Sequence, residues 1–368
     1  MKKIFFGWWV VFACFLIGLY VSSVVFYGFT AFFEPLIQEF GWSYTQVSFA
    51  ASLRGMEMGI LAFPIGFLAD RFGPRKLIFT GVLAVGCGLL LLSFTRSLPM
   101  FYGAFLLLAF GAGGCTSVVT MSAVANWFDK NVGKAMGVMA SGFGASGLLV
   151  PVIVWSIVHY QWRTTLVLLA LGMWALGIPL AFVIRNKPQP QARLAVDSGP
   201  SLAAALEESS EPKAALTFRE VLKHRSFLHL NFAEGIRMMI VSSVITHIMP
   251  YLNSAGIERT TAGWVAAAMP LCSILGRLSF GWLADIFEKR YVFAAGFLVM
   301  GVGMLIFCTV HLHYGLLFPF LFLFSPAFGG TMVLRGAILR EYFGKESFGK
   351  MIGFIMGSAS IGGIIGPT

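Results

Sequence analysis

The dominant feature of this sequence is a succession of long apolar segments separated by short polar loops. Six such segments cover about residues 7–33, 44–70, 76–94, 99–128, 132–160 and 164–184. Five more cover about residues 226–252, 261–285, 290–310, 314–342 and 350 to the last residue. About 20 apolar residues suffice for a helix to cross the ~30 Å hydrocarbon core of a bilayer. The pattern therefore predicts an all-α membrane protein with eleven crossing helices.

One long polar stretch, residues 186–225, interrupts the pattern. It contains several prolines and an acidic run that begins at Glu207, a composition typical of a linker. Its last part, near 218–224, predicts a short helix at the membrane surface. We therefore expect an N-terminal six-helix bundle over 1–185, a cytoplasmic linker over 186–225 and a C-terminal bundle over 226–368.

An internal repeat relates the two predicted bundles. The motif Gly-x-Leu-Ala-Asp ends at Asp70 and again at Asp285, 215 positions later. A Gly-Lys-x-x-Gly motif begins at Gly133 and returns at Gly349, shifted by 216. Two motifs that recur in order at nearly one offset indicate a duplicated half. Position 368 then corresponds to the fifth segment of the first half, so we expect a truncated helix 11 and an absent helix 12.

Composition and charge distribution support the same class. The chain is 58% hydrophobic and 11% charged, whereas soluble domains carry about 25% charged residues. Most of its 26 Lys and Arg residues lie in loops on the same side of the membrane as the N-terminus. The loops on the opposite side hold Arg96, Arg163 and Arg259. This asymmetry predicts a multi-pass protein of the inner or plasma membrane with a cytoplasmic N-terminus. The net charge of +10 therefore reflects topology and not a nucleic-acid surface.

No sequence pattern indicates an enzyme or a cofactor. The five cysteines lie in or close to apolar segments without a CxxC pair, and we find no metal-ligand spacing. The glycine-rich stretches near Gly113 and Gly144 lie in apolar helices with no preceding strand, which excludes a dinucleotide loop and favours close helix packing. We expect no cofactor, no metal and no catalytic residue.

The repeated aspartate motif predicts a conformational latch. Asp70 would end a helix, where its negative charge opposes the helix dipole. It therefore needs a positive partner, either the adjacent basic turn or the N-terminus of a neighbouring helix. The predicted latch residues are Asp70, Arg71, Gly73 and Arg75 in the first copy and Asp285 and Arg290 in the second.

The stretch from Gly66 to Lys76 resembles the loop signature of the major facilitator superfamily between helices 2 and 3. The copy ending at Asp285 resembles its counterpart between helices 8 and 9. This resemblance implies the major facilitator fold, in which two six-helix bundles are related by a parallel repeat. It also implies a small-molecule substrate as partner, alternating access about a site between the bundles, and a monomer in the lipid bilayer.

A finer resemblance connects the chain with the monocarboxylate porter branch and the related oxalate/formate exchangers. It is carried by Gly7-Trp8-Trp9 and by the stretch from Asn126 to Gly137. In that branch an arginine eight residues before the loop aspartate contacts the substrate carboxylate, and Arg277 occupies this position. Many members have an aspartate one turn earlier, whereas this chain has Ser273.

Charged residues at membrane depth are costly and mark candidate sites. Arg54 and Glu57 are three residues apart, as are Glu234 and Arg237, so each pair shares a helix face. Internal ion pairs are the structural alternative for these residues and for Arg335. Arg277 has no acidic neighbour in its helix, which leaves its planar guanidinium free for a carboxylate.

The predicted site residues follow from these considerations. The predicted substrate-binding residues are Arg277, Arg54, Arg237, Tyr27 and Tyr251. The predicted proton-coupling residues are Glu57, Glu234 and His247, although packing is an alternative role for His247 and for both tyrosines.

The predicted function is secondary transport of a small organic anion, with a monocarboxylate as the expected substrate and a proton or counter-anion moving with or against it. One alternative is efflux of hydrophobic or cationic compounds, with Glu57 and Glu234 as cation-binding charges. A second alternative is a sensor or scaffold that does not transport. An intramembrane enzyme is the least supported class.

Overall fold

The computed structural model describes residues 5–186, 218–345 and 347–367. Within these ranges the secondary structure is helical and contains no strand. The helices of the first half are α1 (Gly7–Val21), α2 (Phe33–Phe40), α3 (Tyr44–Phe72), α4 (Pro74–Ser93), α5 (Leu98–Cys115), α6 (Ser117–Trp127), α7 (Val132–Ala145) and α8 (Val150–Val183). Those that follow are α9 (Phe218–Lys223), α10 (Arg225–Ser254), α11 (Arg259–Ile286), α12 (Lys289–Cys308), α13 (Leu317–Phe343) and α14 (Phe348–Ile365).

The described helices include ten that are long and apolar enough to cross a membrane. The longest, Val132–Val183, contains two predicted segments. They are separated at Gln161, whose φ of 64° breaks the helix. The prediction of two helices on either side of this residue is therefore confirmed, and the all-α prediction holds throughout the described ranges.

The first membrane segment is irregular in its second half. After α1 the chain forms a π-helical turn over Ser22–Tyr27 and a 3₁₀ turn over Gly28–Phe32 before α2 begins. The Ser23 hydroxyl donates a hydrogen bond to the carbonyl of Ser146, 2.7 Å away, which fixes this turn against the segment after α7. Such turns inside membrane helices often lie at functional sites, and this one carries Tyr27.

Two repeat-related helix contacts join the halves at one end of the bundle. We call it the loop-aspartate end, because Asp70 and Asp285 lie there. Glycines face each other where the helices of each pair cross. A Cβ on Gly66 would collide with the Gly349 carbonyl, and a Cβ on Gly281 would collide with the Gly133 carbonyl. Glycine is required because the backbones approach this closely. Helix α3 thus packs on α14 as α11 packs on α7.

The polar stretch between the halves falls mostly outside the described residues, since 187–217 are among those not described. Its last part is a helix, α9, which confirms the short helix predicted near 218–224. Phe218 of this helix contacts Phe63 of α3 and Phe354 of α14. The limits of the two bundles and of the linker remain predictions.

Candidate transport site

Asp70 binds the N-terminus of a helix in the other half. Its carboxylate accepts hydrogen bonds from the backbone N–H of Gly349, at 2.7 Å, and of Lys350, at 2.8 Å. These groups lie in the first turn of α14, where N–H groups have no partner within the helix and the dipole is positive. The sequence left two candidate partners for Asp70, the adjacent basic turn and the N-terminus of a neighbouring helix. The structure shows the helix N-terminus.

Asp285 makes the equivalent contact in the opposite direction. It accepts hydrogen bonds from the N–H groups of Gly133 and Lys134 at the start of α7, both at 2.8 Å. A Cβ on Gly133 would lie 2.9 Å from the Asp285 Oδ1 atom. The residue before α7, Asn131, adopts a left-handed φ of 57°. The repeated Gly-Lys motif therefore provides an open helix N-terminus for an aspartate.

The basic residues predicted for the latch are engaged elsewhere. The Arg71 guanidinium lies over the ring of Phe72, and Arg290 pairs with Glu288 at 2.6 Å. Gly73 has a φ of 83°, which provides the turn between α3 and α4.

The backbone N–H of Arg75 donates to the Asn186 side chain at 3.0 Å, and its guanidinium lies over Phe182. The positive charges therefore surround the aspartate motif without pairing with Asp70 or Asp285 in the described contacts.

Sequence reasoning missed a third connection between the halves. Asp129, in the loop before α7, pairs with Arg340 and with Lys345, both at 2.7 Å. The repeat gave no signal for it, because no acid and base stand at the equivalent positions. At either offset Asp129 corresponds to Gly344 or Lys345, and Arg340 to Ala125 or Val124. The Arg340 Nε atom also donates to the Ala125 carbonyl, 3.2 Å away.

Three charged side chains form a buried cluster in the second half. The Glu234 Oε2 atom accepts from Arg237 Nε and from Arg335 Nη1, both at 3.0 Å. The exposed fractions of Glu234, Arg237 and Arg335 are 0%, 4% and 1%. The Glu234–Arg237 pair is the structural alternative that the sequence spacing left open, whereas the contribution of Arg335 from α13 depends on tertiary packing. We call these three residues the Glu234 cluster.

Arg277 lies next to this cluster and is 3% exposed. Its Nη1 atom donates to the Ala140 carbonyl of α7, 2.7 Å away, and its Nε atom has no hydrogen-bond partner in the described part of the chain. Tyr27 and Arg237 lie within electrostatic range of the guanidinium. Gly144 of α7 leaves room for this side chain, since a Cβ at that position would lie 2.9 Å from the Arg277 Nη1 atom.

Arg54 and Glu57 share a face of α3, yet no ion pair joins them in the described structure. The Arg54 guanidinium donates to the Val25 carbonyl and lies 4.5 Å from the centre of the Phe26 ring. Glu57 is half-buried, and its Oε2 atom has no hydrogen-bond partner in the described part. Arg54 thus holds the irregular turn that carries Tyr27, itself 41% exposed.

Two predicted site residues, Tyr251 and His247, make their described hydrogen bonds to backbone carbonyls of the second half. The Tyr251 hydroxyl donates to the Cys308 carbonyl at 2.9 Å. A His247 ring nitrogen lies 2.9 Å from the Pro367 carbonyl. His247 follows Arg237 by ten residues on α10, about 15 Å at ~1.5 Å per residue. Both side chains serve contacts within the second half.

The comparison with protein families is decisive. The family model described as Major Facilitator Superfamily matches residues 9–254 and 230–368. The chain belongs to the Major Facilitator Superfamily. The fold expected from the loop signature is thereby confirmed, and so is the prediction that the protein is not an enzyme, because this is a family of transporters.

This facilitator is similar to several curated proteins at moderate identity. "Uncharacterized MFS-type transporter YcxA" of Bacillus subtilis (strain 168) is 24% identical over 88% of this chain and 78% of its own length. "Monocarboxylate transporter 13" of Bos taurus is 28% identical over 76% of this chain. The match covers 62% of the bovine protein, slightly less than two thirds. "Agnestins efflux protein AgnL12" of Paecilomyces divaricatus is 26% identical over 95% of this chain and 78% of its own length.

Solved structures agree on the fold. The proton:xylose symporter XylE, bound to 6-bromo-6-deoxy-D-glucose, superposes with a TM-score of 0.78 at 15% identity, over 98% of this chain and 87% of XylE. The human organic anion transporter MFSD10 (TETRAN) superposes with a TM-score of 0.75 at 14% identity, over 98% of this chain and 92% of that protein. At these identities the likeness defines architecture alone.

Proposed function

We propose that this facilitator is a secondary transporter of a small organic anion and that Arg277 binds the carboxylate of the substrate. The observation that carries the proposal is a buried guanidinium with an unpartnered Nε–H and no carboxylate among its described hydrogen-bond partners. A buried charge of this kind is costly unless it is paired. A bound carboxylate would supply the missing charge.

Monocarboxylates are the first substrates to test. Among similar curated proteins, monocarboxylate transporters 13 and 4 carry the substrate class in their names. Arg277 stands eight residues before Asp285, the position that the monocarboxylate porter resemblance assigns to carboxylate binding. Arg237 lies within electrostatic range of Arg277 and would strengthen the attraction. Tyr27, with its exposed ring, would line the entry path to the same site.

The two aspartate contacts would hold the loop-aspartate end closed while the substrate enters from the other side. Each would break when the halves rock to release the substrate, as alternating access requires. The Asp129 contacts with Arg340 and Lys345 would open in the same step. Asp70 and Asp285 would thereby act as the latch residues.

A proton is the proposed coupling ion, and Glu57 its carrier. Its half-buried carboxylate has an oxygen without a described partner, so it can gain or lose a proton without breaking an ion pair. Glu234 is held by two arginines and is the weaker candidate, as is His247, which is bonded near Pro367.

Efflux of a hydrophobic or cationic compound is the second candidate function. It is favoured by the similarity to the agnestins efflux protein and by the unpartnered Glu57 carboxylate, which could attract a cation. This function would leave the buried excess of arginines without a role, so we rank it second.

Uptake by the complete protein in proteoliposomes tests the proposal. A panel of labelled monocarboxylates would be supplied with and without an inward proton gradient, to wild type, Arg277→Ala and the control Arg96→Ala, which alters an exposed loop arginine. We expect saturable uptake in wild type and control. Loss of a charged hydrogen bond costs about 1.5–3 kcal/mol, so Arg277→Ala should weaken apparent affinity by roughly 10- to 100-fold.

Four outcomes would contradict parts of the proposal. Equal uptake by Arg277→Ala would remove Arg277 as the anchor, and uptake unaffected by the gradient would remove the proton. No uptake of any organic anion, together with export of a cationic dye, would favour the efflux function. Absence of every net flux would favour a sensor or scaffold.

A further inference from the structure

We infer that Arg54 is a positioning residue of the proposed site. Its guanidinium would fix the irregular turn of the first membrane segment and thereby place Tyr27 for the substrate, without contacting the substrate itself. The inference rests on the proposed function, because it assumes that Arg277 anchors an organic anion near Tyr27. It goes beyond that function by giving Arg54 a role other than the anion binding expected from the sequence.

The turn over Ser22–Tyr27 needs a hydrogen-bond donor from outside its own segment. Its π-helical bonds join residues five apart, as in the bond from the Gly28 N–H to the Ser23 carbonyl. The 3₁₀ turn that follows, Gly28–Phe32, joins residues three apart. Where the longer spacing gives way to the shorter one, more carbonyls than N–H groups lie at the junction. Since buried carbonyls are normally hydrogen-bonded, the surplus requires another donor.

Arg54 supplies such a donor from the neighbouring helix α3. Its guanidinium donates to the Val25 carbonyl, inside the turn. The same guanidinium lies 4.5 Å from the centre of the ring of Phe26, the next residue along the turn. A cation over an aromatic face is attracted by the ring, so two contacts with adjacent residues hold this side chain in one place. Arg54 thus fixes the turn at the residues that directly precede Tyr27.

A second contact fixes the start of the same turn. The Ser23 hydroxyl donates to the Ser146 carbonyl at 2.7 Å, and a Cβ on Gly28 would lie 2.5 Å from the Ser23 carbonyl oxygen. The turn is therefore closely packed and held by two different neighbours, α3 and the segment after α7. Tyr27 belongs to this turn and lies within electrostatic range of Arg277. Its position relative to Arg277 depends on both contacts.

Arg54 and Arg277 differ in what their guanidinium groups leave open. The Arg277 Nε atom is buried without a partner among the described residues, whereas no Arg54 nitrogen belongs to that set. Arg277 thus has a donor for an incoming carboxylate, and Arg54 is already engaged by the turn. Transfer of Arg54 to a carboxylate would release the turn that carries Tyr27. The contacts therefore favour positioning over direct binding.

Loss of the Arg54 contact should weaken substrate binding without slowing the rocking of the halves. The turn would adopt other conformations, so Tyr27 would be correctly placed in a fraction of the molecules, and the apparent affinity falls with that fraction. Arg277 would still anchor the substrate, and the contacts at the loop-aspartate end would be unchanged. A merely structural role would instead lower the amount of folded protein or the maximal rate, with no change in affinity.

A double-mutant cycle between Arg54 and Tyr27 tests the inference. Uptake of labelled acetate, lactate and butanoate into proteoliposomes would be measured for the complete wild-type protein, Arg54→Met, Tyr27→Phe and the double variant. We expect each single variant to raise the half-saturating concentration by about tenfold, with a maximal rate per folded protein close to that of wild type. The double variant should also lose about tenfold and not about a hundredfold, because Arg54 acts through Tyr27.

Three further variants complete the design. Arg54→Lys keeps a cationic donor that can lie over the Phe26 ring, and it should be about threefold weaker than wild type in affinity. Ser23→Ala removes the other contact of the turn and should raise the half-saturating concentration as Arg54→Met does, again without adding to Tyr27→Phe. Arg96→Met, at an exposed loop position, is the control and should match wild type. Ser23→Ala decides the question if Arg54→Met does not fold.

The outcomes separate this inference from the proposed function. If Arg277→Ala weakens uptake while Arg54→Met has no effect or lowers the maximal rate alone, the inference is wrong and the proposed function stands. A loss of about a hundredfold in the double variant would also contradict the inference, because it would place Arg54 on the substrate itself. If no probe enters, or Arg277→Ala leaves uptake of every probe unchanged, the proposed function fails and this inference fails with it.

Discussion

At the scale of single residues, two identical sequence spacings lead to different chemistry. Arg54 and Glu57 are three residues apart, and so are Glu234 and Arg237. The first two remain separate, and the second two form an ion pair of 2.9 Å. Spacing brings side chains to one helix face, but it does not determine whether they pair. Glu234 is buried and also binds Arg335 of α13, whereas Glu57 is only half-buried. Glu57 and Glu234 should therefore respond differently to neutralisation.

We expect Glu57→Gln to abolish accumulation driven by a proton gradient while substrate exchange at equilibrium continues, because the amide cannot carry a proton. Glu234→Gln should instead destabilise the protein, since it leaves two buried arginines without their carboxylate. Breaking a buried pair typically costs about 3–5 kcal/mol. Thermal unfolding in detergent and counterflow in proteoliposomes would measure the two effects. Proton-driven uptake that survives Glu57→Gln would exclude Glu57 as the carrier.

At the scale of helices, the repeated motifs form two equivalent contacts across the halves. An aspartate at the end of α3 binds the start of α14, and an aspartate at the end of α11 binds the start of α7. Glycines at both crossings allow the backbones to approach. The two halves are therefore joined by the same arrangement used twice, to which the Asp129 contacts add an asymmetric third.

We expect Asp70→Asn and Asp285→Asn each to shift the protein toward states open at the loop-aspartate end. An asparagine lacks the charge and one of the two acceptor oxygens, and a charged hydrogen bond contributes about 1.5–3 kcal/mol. Distances between spin labels at Phe67 and Lys350 would report the shift as a growing population at longer separation. Glu288→Gln is the control, because this exposed residue lies in the same loop region and pairs with Arg290. Unchanged distances in both aspartate variants would argue against a latch.

At the scale of the whole molecule, the described hydrogen bonds between the halves cluster at the loop-aspartate end, apart from the Arg277 contact with the Ala140 carbonyl. The Gly133 and Lys134 contacts with Asp285, the Asp70 contacts with α14 and the Arg340 contacts near Asp129 all lie there. This arrangement corresponds to one state of an alternating-access cycle, closed at that end. Transport would require the contacts to separate.

We expect a cross-link across this end to stop transport. Phe67 of α3 and Lys350 of α14 lie in contact, with the Lys350 Nζ atom 5.3 Å from the ring centre. Cysteines at both positions, in a background without the native cysteines, would be joined by a short bifunctional thiol reagent and uptake measured before and after. A pair at Phe79 and Phe182, whose rings are 5.7 Å apart within the first half, should tolerate the same reagent. Full uptake by the cross-linked Phe67–Lys350 pair would exclude rocking at this end.

The sequence by itself determined the class, the approximate spans, the repeat and the motifs that meet at the loop-aspartate end. It could do so because apolar length and repeat spacing are properties of the chain alone. The sequence also selected Arg277 as a candidate for substrate binding, because no acidic residue lies near it in the sequence of α11.

Only the tertiary structure decided which charged residues meet. Asp70 lies 279 positions from Gly349, and Arg335 lies 101 positions from Glu234. Their contacts depend on how whole helices cross, which local spacing does not encode. For the same reason Tyr251 and His247, plausible by position along α10, are bonded far from the arginines. Burial of Arg237 and Arg335 around Glu234 is a consequence of packing.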